Sequence, residues 1–267
     1  MEAAQLKEMM KDIWNQRADG YDRAPGHGIH WEWEKYAWAG LLREVLGDKK
    51  LHVLDVGTGT GFLALLLAEL GHKVVGVDIS ERMLEKAREK AEKLNFNNVE
   101  FYLADAEELP FPDNTFDAVV SRHIVWALPN PERAYTEWKR VLRLGGKIIV
   151  IDGSWNKLPL YRKMWRFFAQ LLILLTERRD PWGYRHLSKQ LPMRQRERPE
   201  ADIEILTKLG LQIIDVRKID IPYWGTFLDY LKYGYHCGQR FLLVAIKPIT
   251  YLEGEYRVGR SISGDPS

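Results

Sequence analysis

The sequence predicts an α/β domain: a mostly parallel, seven-stranded sheet with helices on both faces, preceded by N-terminal helices and interrupted by a helical insertion. Three observations predict it. Apolar runs of strand length alternate with segments of helix length from residue 51 to residue 152. Those runs are apolar almost throughout, as strands covered on both faces should be. A glycine cluster, Gly57, Gly59 and Gly61, separates the first run from the first following helix, and such turns join strand to helix in parallel sheets.

Each element follows in order. Residues 6–18 and 34–46 read as amphipathic helices, joined by a loop rich in turn formers: Gly20, Pro25, Gly26 and Gly28. Residues 51–56 form a first strand and 60–70 an apolar helix. Residues 73–78 form a second strand, and Ser80 caps a helix over 81–94. Strands follow at 99–103 and 116–121, then a helix at 131–141 with Pro131 in its first turn. Gly145 and Gly146 mark a turn before a strand at 147–151. Beyond 152 the alternation stops. A helix over 158–176 lies within an insertion, and a helix at 199–209 and strands at 211–217 and 240–246 complete the pattern. This divides one domain, 1–248, into N-terminal helices (1–50), a core (51–152), an insertion (153–198) and the last part of the sheet (199–248). Residues 249–267 read as a flexible tail.

Composition narrows the function. The net charge is +2, from 39 Lys and Arg against 37 Asp and Glu, so no global field draws nucleic acid. A single cysteine, Cys237, excludes an intrachain disulfide and a cysteine-rich zinc site. The first residues are charged and the longest apolar runs, 62–67 and 167–175, are too short to span a bilayer. The expected setting is cytoplasmic. Charge is nevertheless uneven, because residues 155–198 hold eleven Lys and Arg against three acids.

The glycine turn carries the chemistry. Glycines let backbone approach a ligand, and the helix behind them offers free N–H groups. Asp78, ending the second strand, suits the two hydroxyls of a ribose. The spacing is G-x-G-x-G rather than the G-x-G-x-x-G of dinucleotide sites, and no P-loop is present. Asp55, just before the glycines, is awkward beside a pyrophosphate and suits a ligand bearing an amino group.

At these residues the sequence resembles class I S-adenosylmethionine-dependent methyltransferases. Val53-Leu-Asp-Val-Gly-Thr-Gly-Thr-Gly61 is similar to their first motif, Gly76-Val-Asp78-Ile-Ser80 to the ribose loop, and Leu103-Ala-Asp105-Ala-Glu-Glu-Leu-Pro-Phe111 to the adenine loop. Phe116-Asp-Ala-Val-Val-Ser121 and Arg140-Val-Leu-Arg-Leu-Gly-Gly146 resemble later motifs, and Trp14-Asn-x-Arg-Ala-x-x-Tyr21-Asp22 resembles the lid of the ubiquinone/menaquinone-methylase-like branch. The resemblance implies a Rossmann-like sheet whose last strand is antiparallel, an N-terminal lid, and S-adenosylmethionine as cofactor with S-adenosylhomocysteine as product. It implies that Gly57, Thr58, Gly59 and Gly61 cradle the methionine part, with Asp55 near its amino group. Asp78 would hold the ribose, Ile79 and Met83 would pack near adenine, and Asp105 and the Ala106 N–H would read its edge. Ser121 and Arg122 would lie under the methionine end, and Tyr21 would help close the lid.

The acceptor site is less marked. Where the family often carries a His pair, Trp126 and Ala127 stand here. His123, just past the fourth strand, is the candidate base, with a structural hydrogen bond as its other reading. His27 and His30 are candidates for substrate contact. A metal is not expected, because no third ligand accompanies them. The aromatic insertion is the expected acceptor cap, with Trp126, Tyr161, Trp165 and Tyr235 as further substrate candidates. Its basic helix also reads as an anion contact, a membrane-surface contact through 158–176, or a dimer face; monomer and homodimer both remain open. The expected function is methyl transfer to a small molecule. The alternatives are C-methylation of a quinone precursor, RNA methylation, or a non-catalytic cofactor-binding protein. Nucleic acid is disfavoured by the absence of the base-methylase motif after strand four, which reads Ser121-Arg-His-Ile.

Overall fold

A computed structural model describes residues 2–23, 26–153, 159–177, 187, 189–221, 226–234 and 240–249. Tyr235 and the expected tail beyond Ile249 lie outside the described residues.

Strands β1 (His52–Val56), β2 (Lys73–Asp78), β3 (Val99–Leu103), β4 (Phe116–Arg122) and β5 (Leu142–Gly153) pair in parallel, and β6 (Gln212–Lys218) and β7 (Arg240–Ile246) complete a seven-stranded sheet. Its order is β3-β2-β1-β4-β5-β7-β6, with β7 antiparallel to both neighbours. Alternate side chains feed opposite cores. Ile148 and Val150 of β5 join one cluster, and Ile149 and Ile151 join the other.

Helices α2 (Glu32–Leu46), α3 (Phe62–Glu69) and α4 (Glu81–Lys93) cover one face, while α5 (Pro131–Val141) and α7 (Glu200–Lys208) cover the other. Residues 62–68 of α3 are all buried, which explains why that helix is apolar all round. The Ser80 cap is as expected, its Oγ accepting from the Met83 N–H, and the structure adds a second cap, the Asn130 side chain accepting from the Arg133 N–H. Helix α1 (Ala3–Arg17) continues into a 3-10 turn, Ala18–Arg23, that reaches the end of the sheet.

One boundary differs from expectation. The glycines at 145–146 form no turn before a strand. They lie in a bulge within the continuous strand β5, where Leu142 pairs with Phe116 but Lys147 pairs with Ala118. Gly145 adopts φ +76° there and donates its N–H to the Lys247 carbonyl. Backbone bonds to Lys247, just past the end of β7, tie this bulge into the sheet, a long-range contact that local turn chemistry could not foretell.

The strand order reverses between β1 and β4. Loops leaving these strands diverge and open a crevice at the carboxyl end of the sheet.

Candidate active site

The crevice is lined by the loops after four strands. Gly57 and Gly59 follow β1, Asp78 and Ile79 follow β2, Ala104 to Glu107 follow β3, and Arg122, His123 and Ile124 end β4. Lys7, Met10, Trp14 and Tyr21 close it from the N-terminal side, and Met83 of α4 joins the wall.

The glycine loop is folded back on β2, since the Gly57 and Thr58 N–H groups both donate to the Val77 carbonyl, at 2.8 and 2.9 Å. The Asp55 carboxylate braces it from beneath. It accepts from Thr58 Oγ1 at 2.7 Å and from the Ala64 N–H at 3.1 Å. Burial pushes its carboxyl up to about 7, against these hydrogen bonds. Asp55, Thr58 and Gly61 therefore shape the loop from behind the crevice surface, and Gly57 and Gly59 present its backbone. Asp78 accepts the Gly59 N–H at 2.8 Å and the Ser80 N–H at 2.9 Å, and burial raises its carboxyl.

Gly57 has φ +70°, and a Cβ there would stand 2.5 Å from Ile124 Cδ1 in the crevice wall. Gly57→Ala should weaken S-adenosylhomocysteine binding at least about tenfold by overpacking that wall. Gly47→Ala is the control, because Gly47 has φ +81° with nothing within 4 Å of the added Cβ. Calorimetry should show affinity loss in the first variant alone; equal affinities would remove the loop from the binding surface.

Each of the four loops is clamped to the N-terminal segment. Thr60 Oγ1 donates to Asp22, which also pairs with Lys90 at 2.6 Å. Ser80 Oγ donates to Asn15 Oδ1 at 2.7 Å. Lys7 reaches both Asp105 and Glu107 at 2.6 Å. Arg122 donates to the Gly26 carbonyl at 2.7 Å while stacking 3.6 Å from the Phe62 ring centroid. Tyr21 is the lid aromatic nearest Gly59, and burial pushes its phenol up to about 12, so it stays neutral.

His123 occupies the left-handed region at φ +59°, uncommon for a non-glycine residue. Its N–H donates to the Ile151 carbonyl at 2.9 Å, and Nδ1 stands 3.6 Å from Asp152 Oδ1. Burial lowers the imidazole below its usual value, with Asp152 acting in the opposite sense. Asp152 is fixed in turn: Arg198 donates to it at 2.6 Å and grips Asp202 through two bonds of 2.8 and 2.7 Å. Tyr135 Oη donates to Asp202 at 2.6 Å. Burial alone would raise Asp152, but Arg198 and His123 hold it down at about 2.

Other sequence candidates fall elsewhere. Ser121 Oγ is buried behind the crevice with no hydrogen-bond partner among the described residues. His27 and His30 line a second hollow with Lys35, Phe62 and Leu65. Trp126 packs against Trp14 and under Arg194. Trp165 donates to the Leu231 carbonyl, and Tyr161 is exposed; neither lines the crevice. Lys7, Glu107, Asp152 and Arg198 escaped sequence reasoning. Asp152 left a signal, an acid at the carboxyl end of an apolar strand. Arg198 left only the i,i+4 spacing to Asp202, and its bond to Asp152 of β5, 46 residues away, left no signal.

The methyltransferase-domain family model matches residues 47–181, half of the chain, including the glycine loop and β5. The chain belongs to that family. It is a class I S-adenosylmethionine-dependent methyltransferase. It is 46% identical over 101 residues to a phosphatidylethanolamine N-methyltransferase of Cereibacter sphaeroides, covering 38% of this chain and about half (49%) of that protein. It is 31% identical over 190 residues to a demethylmenaquinone methyltransferase of Tropheryma whipplei, covering 68% of this chain and 75% of that one. Its fold is similar to that of geranyl diphosphate C-methyltransferase from Streptomyces coelicolor, solved with Mg2+, geranyl diphosphate and S-adenosylhomocysteine. The TM-score is 0.61 at 19% identity, over 91% of this chain and 98% of that one. Among the described residues no group of three or more metal-ligating side chains occurs, and no helix is long and apolar enough to cross a membrane.

Proposed function

We propose that this methyltransferase transfers the methyl group to a small-molecule acceptor that gives up a proton to His123. The observation carrying this reading is the placement of His123 in the same crevice wall as Gly59, Asp78 and Asp105, with Nδ1 turned to a buried carboxylate. The crevice fits S-adenosylmethionine. Glycine backbone faces it without a Cβ, an acid stands at the ribose position, and Ile79, Met83 and Ala104 offer apolar walls to a purine. When bound, the cofactor supplies an activated methyl group.

The protein's residues do the rest. Asp78 holds the ribose hydroxyls, and Asp105 and the Ala106 N–H read the adenine edge. Gly57, Gly59 and Arg122 surround the methionine end, and Tyr21 and Trp14 exclude water. Held orientation of this kind contributes about 7–11 kcal/mol. With Nδ1–H held toward Asp152, Nε2 is the basic nitrogen, and burial keeps the ring neutral at pH 7. A quinol-type ring is the second reading of the acceptor, favoured by the likeness to the Tropheryma enzyme; a neutral base would serve C-methylation there.

Calorimetry with S-adenosylmethionine, S-adenosylhomocysteine and NAD tests the site. Binding of the two sulfur compounds and not NAD is expected, and NAD binding alone would overturn the proposal. Asp78→Ala should cost about 1.5–3 kcal/mol of cofactor affinity by removing hydrogen bonds to a charged group. Unchanged affinity would cancel the ribose assignment. An acceptor panel of phenols, quinols and amines then tests transfer itself; turnover confined to oligonucleotides would overturn the small-molecule reading.

A further inference from the structure

The helix of the insertion, α6 (Leu160–Glu177), is apolar on the side where a surface helix should be polar. Its inward seam is Trp165, Ala169 and Ile173, spaced i, i+4, i+8. Trp165 packs edge to face with Tyr230 of α8 (Phe227–Tyr233), while Ala169 and Ile173 are almost fully buried. The opposite side carries Leu160, Met164, Phe167, Phe168, Leu171 and Leu175, and Phe168 and Leu175 are 62% and 78% exposed. Successive residues turn by about 100° around a helix, which places these six on one continuous arc facing away from the seam. Phe227 of α8, 75% exposed, adds to the apolar surface of the helix pair. Exposed apolar surface of this extent marks an interaction site.

The flank of the arc identifies what covers it. Lys163 borders the arc, Arg166 and Arg162 lie further round toward the seam, and no acid precedes Glu177 in the helix. A second copy laid helix to helix would offer these three cations a single α6 carboxylate, Glu177 at the far end of its helix. An anionic lipid surface suits both features: acyl chains take the apolar arc, headgroup phosphates take Lys163, whose stem snorkels beside it, and Arg162 and Arg166 add to the positive charge of the same helix. We infer that the α6–α8 face docks in the plane of an anionic bilayer surface.

Sedimentation with vesicles tests this on the full chain. The protein should sediment with phosphatidylcholine/phosphatidylglycerol vesicles, less with phosphatidylcholine alone, and less again as salt rises. Phe167→Glu with Phe168→Glu should abolish sedimentation while S-adenosylhomocysteine affinity is retained, which shows that the variant is folded. Should that pair fail to fold, Lys163→Glu with Arg166→Glu is the second test, with a loss of at least about tenfold in vesicle partitioning expected from the reversed charges. No sedimentation with either vesicle, or sedimentation unchanged in a folded variant, overturns the inference. So does a concentration-dependent dimer, broken by Phe167→Glu with Phe168→Glu, in a protein that ignores vesicles. Vesicle binding that begins only when residues 250–267 are removed makes the chain's own tail the occupant and overturns it too.

Discussion

Arg198→Met should cost about 3–5 kcal/mol of folding stability, the largest loss expected from any single substitution discussed. The side chain is 2% exposed, and the Asp152 and Asp202 side chains are both fully buried. Methionine fills similar volume but leaves two carboxylates in a low-dielectric interior without their shared cation. Removing one partner of a buried pair is costly because the remaining charge stays desolvated. Urea unfolding monitored by circular dichroism would read the loss as a lower midpoint at constant slope. A loss under about 1 kcal/mol would show that the carboxylates are rehydrated or neutralised, and that the network is not a structural element. Replacing Arg198 by Met together with Asp152→Asn and Asp202→Asn should recover much of the stability.

The same network fixes an acid limb. The Asp152 carboxyl lies at about 2 in the folded chain, below the 3.8 of a free aspartate. A depressed carboxyl stabilises the fold above its unfolded value, and that contribution disappears as pH falls through the folded value. The Asp152 contribution is therefore complete above about pH 4 and lost between about pH 4 and 2. Asp152→Asn should flatten the stability profile in that window.

His123→Ala should lower kcat by about 10²–10⁴ with a proton-losing acceptor while cofactor affinity stays near wild type. Because burial depresses the imidazole below 6.5, the neutral base is already present at pH 7. Activity should fall only on the acid side, as the ring gains its proton. Asp152→Asn distinguishes orientation from chemistry. It removes the group that raises the His123 value, so the acid limb should move to still lower pH while kcat falls. An unchanged kcat in His123→Ala, measured with an acceptor that must be deprotonated, would sink the base assignment. His123 would then stand as a structural residue holding its strained turn.

Much of this site could be read along the chain because its chemistry is local. Gly57, Gly59 and Gly61 sit between one strand and one helix, and Asp78 ends the next strand. Residues so close in sequence must share one end of a parallel sheet. Ser80 was legible as a cap for the same reason: a cap bonds within its own turn. The aromatic candidates were not legible. Tyr161 and Trp165 lie on one helix, and only the direction of packing decides that one faces outward and the other meets Tyr230. Composition reports that a helix is amphipathic but not which of its sides finds the core.

The sequence by itself placed the glycine turn between one strand and the next helix and an acid, Asp78, at the end of the following strand, since each depends on neighbours within one βαβ unit, and its motifs carried the resemblance to the methyltransferase class. Only the tertiary structure decided that Asp55 braces the loop from behind, that Lys7 spans the crevice to Asp105 and Glu107, and that Asp152 meets His123 with Arg198 behind it. The last two join residues brought together by packing alone, Lys7 to Asp105 across 98 positions and Asp152 to Arg198 across 46. Charge pairing at such separations leaves no periodicity for a sequence to show, because it depends on the fold that brings the partners within reach.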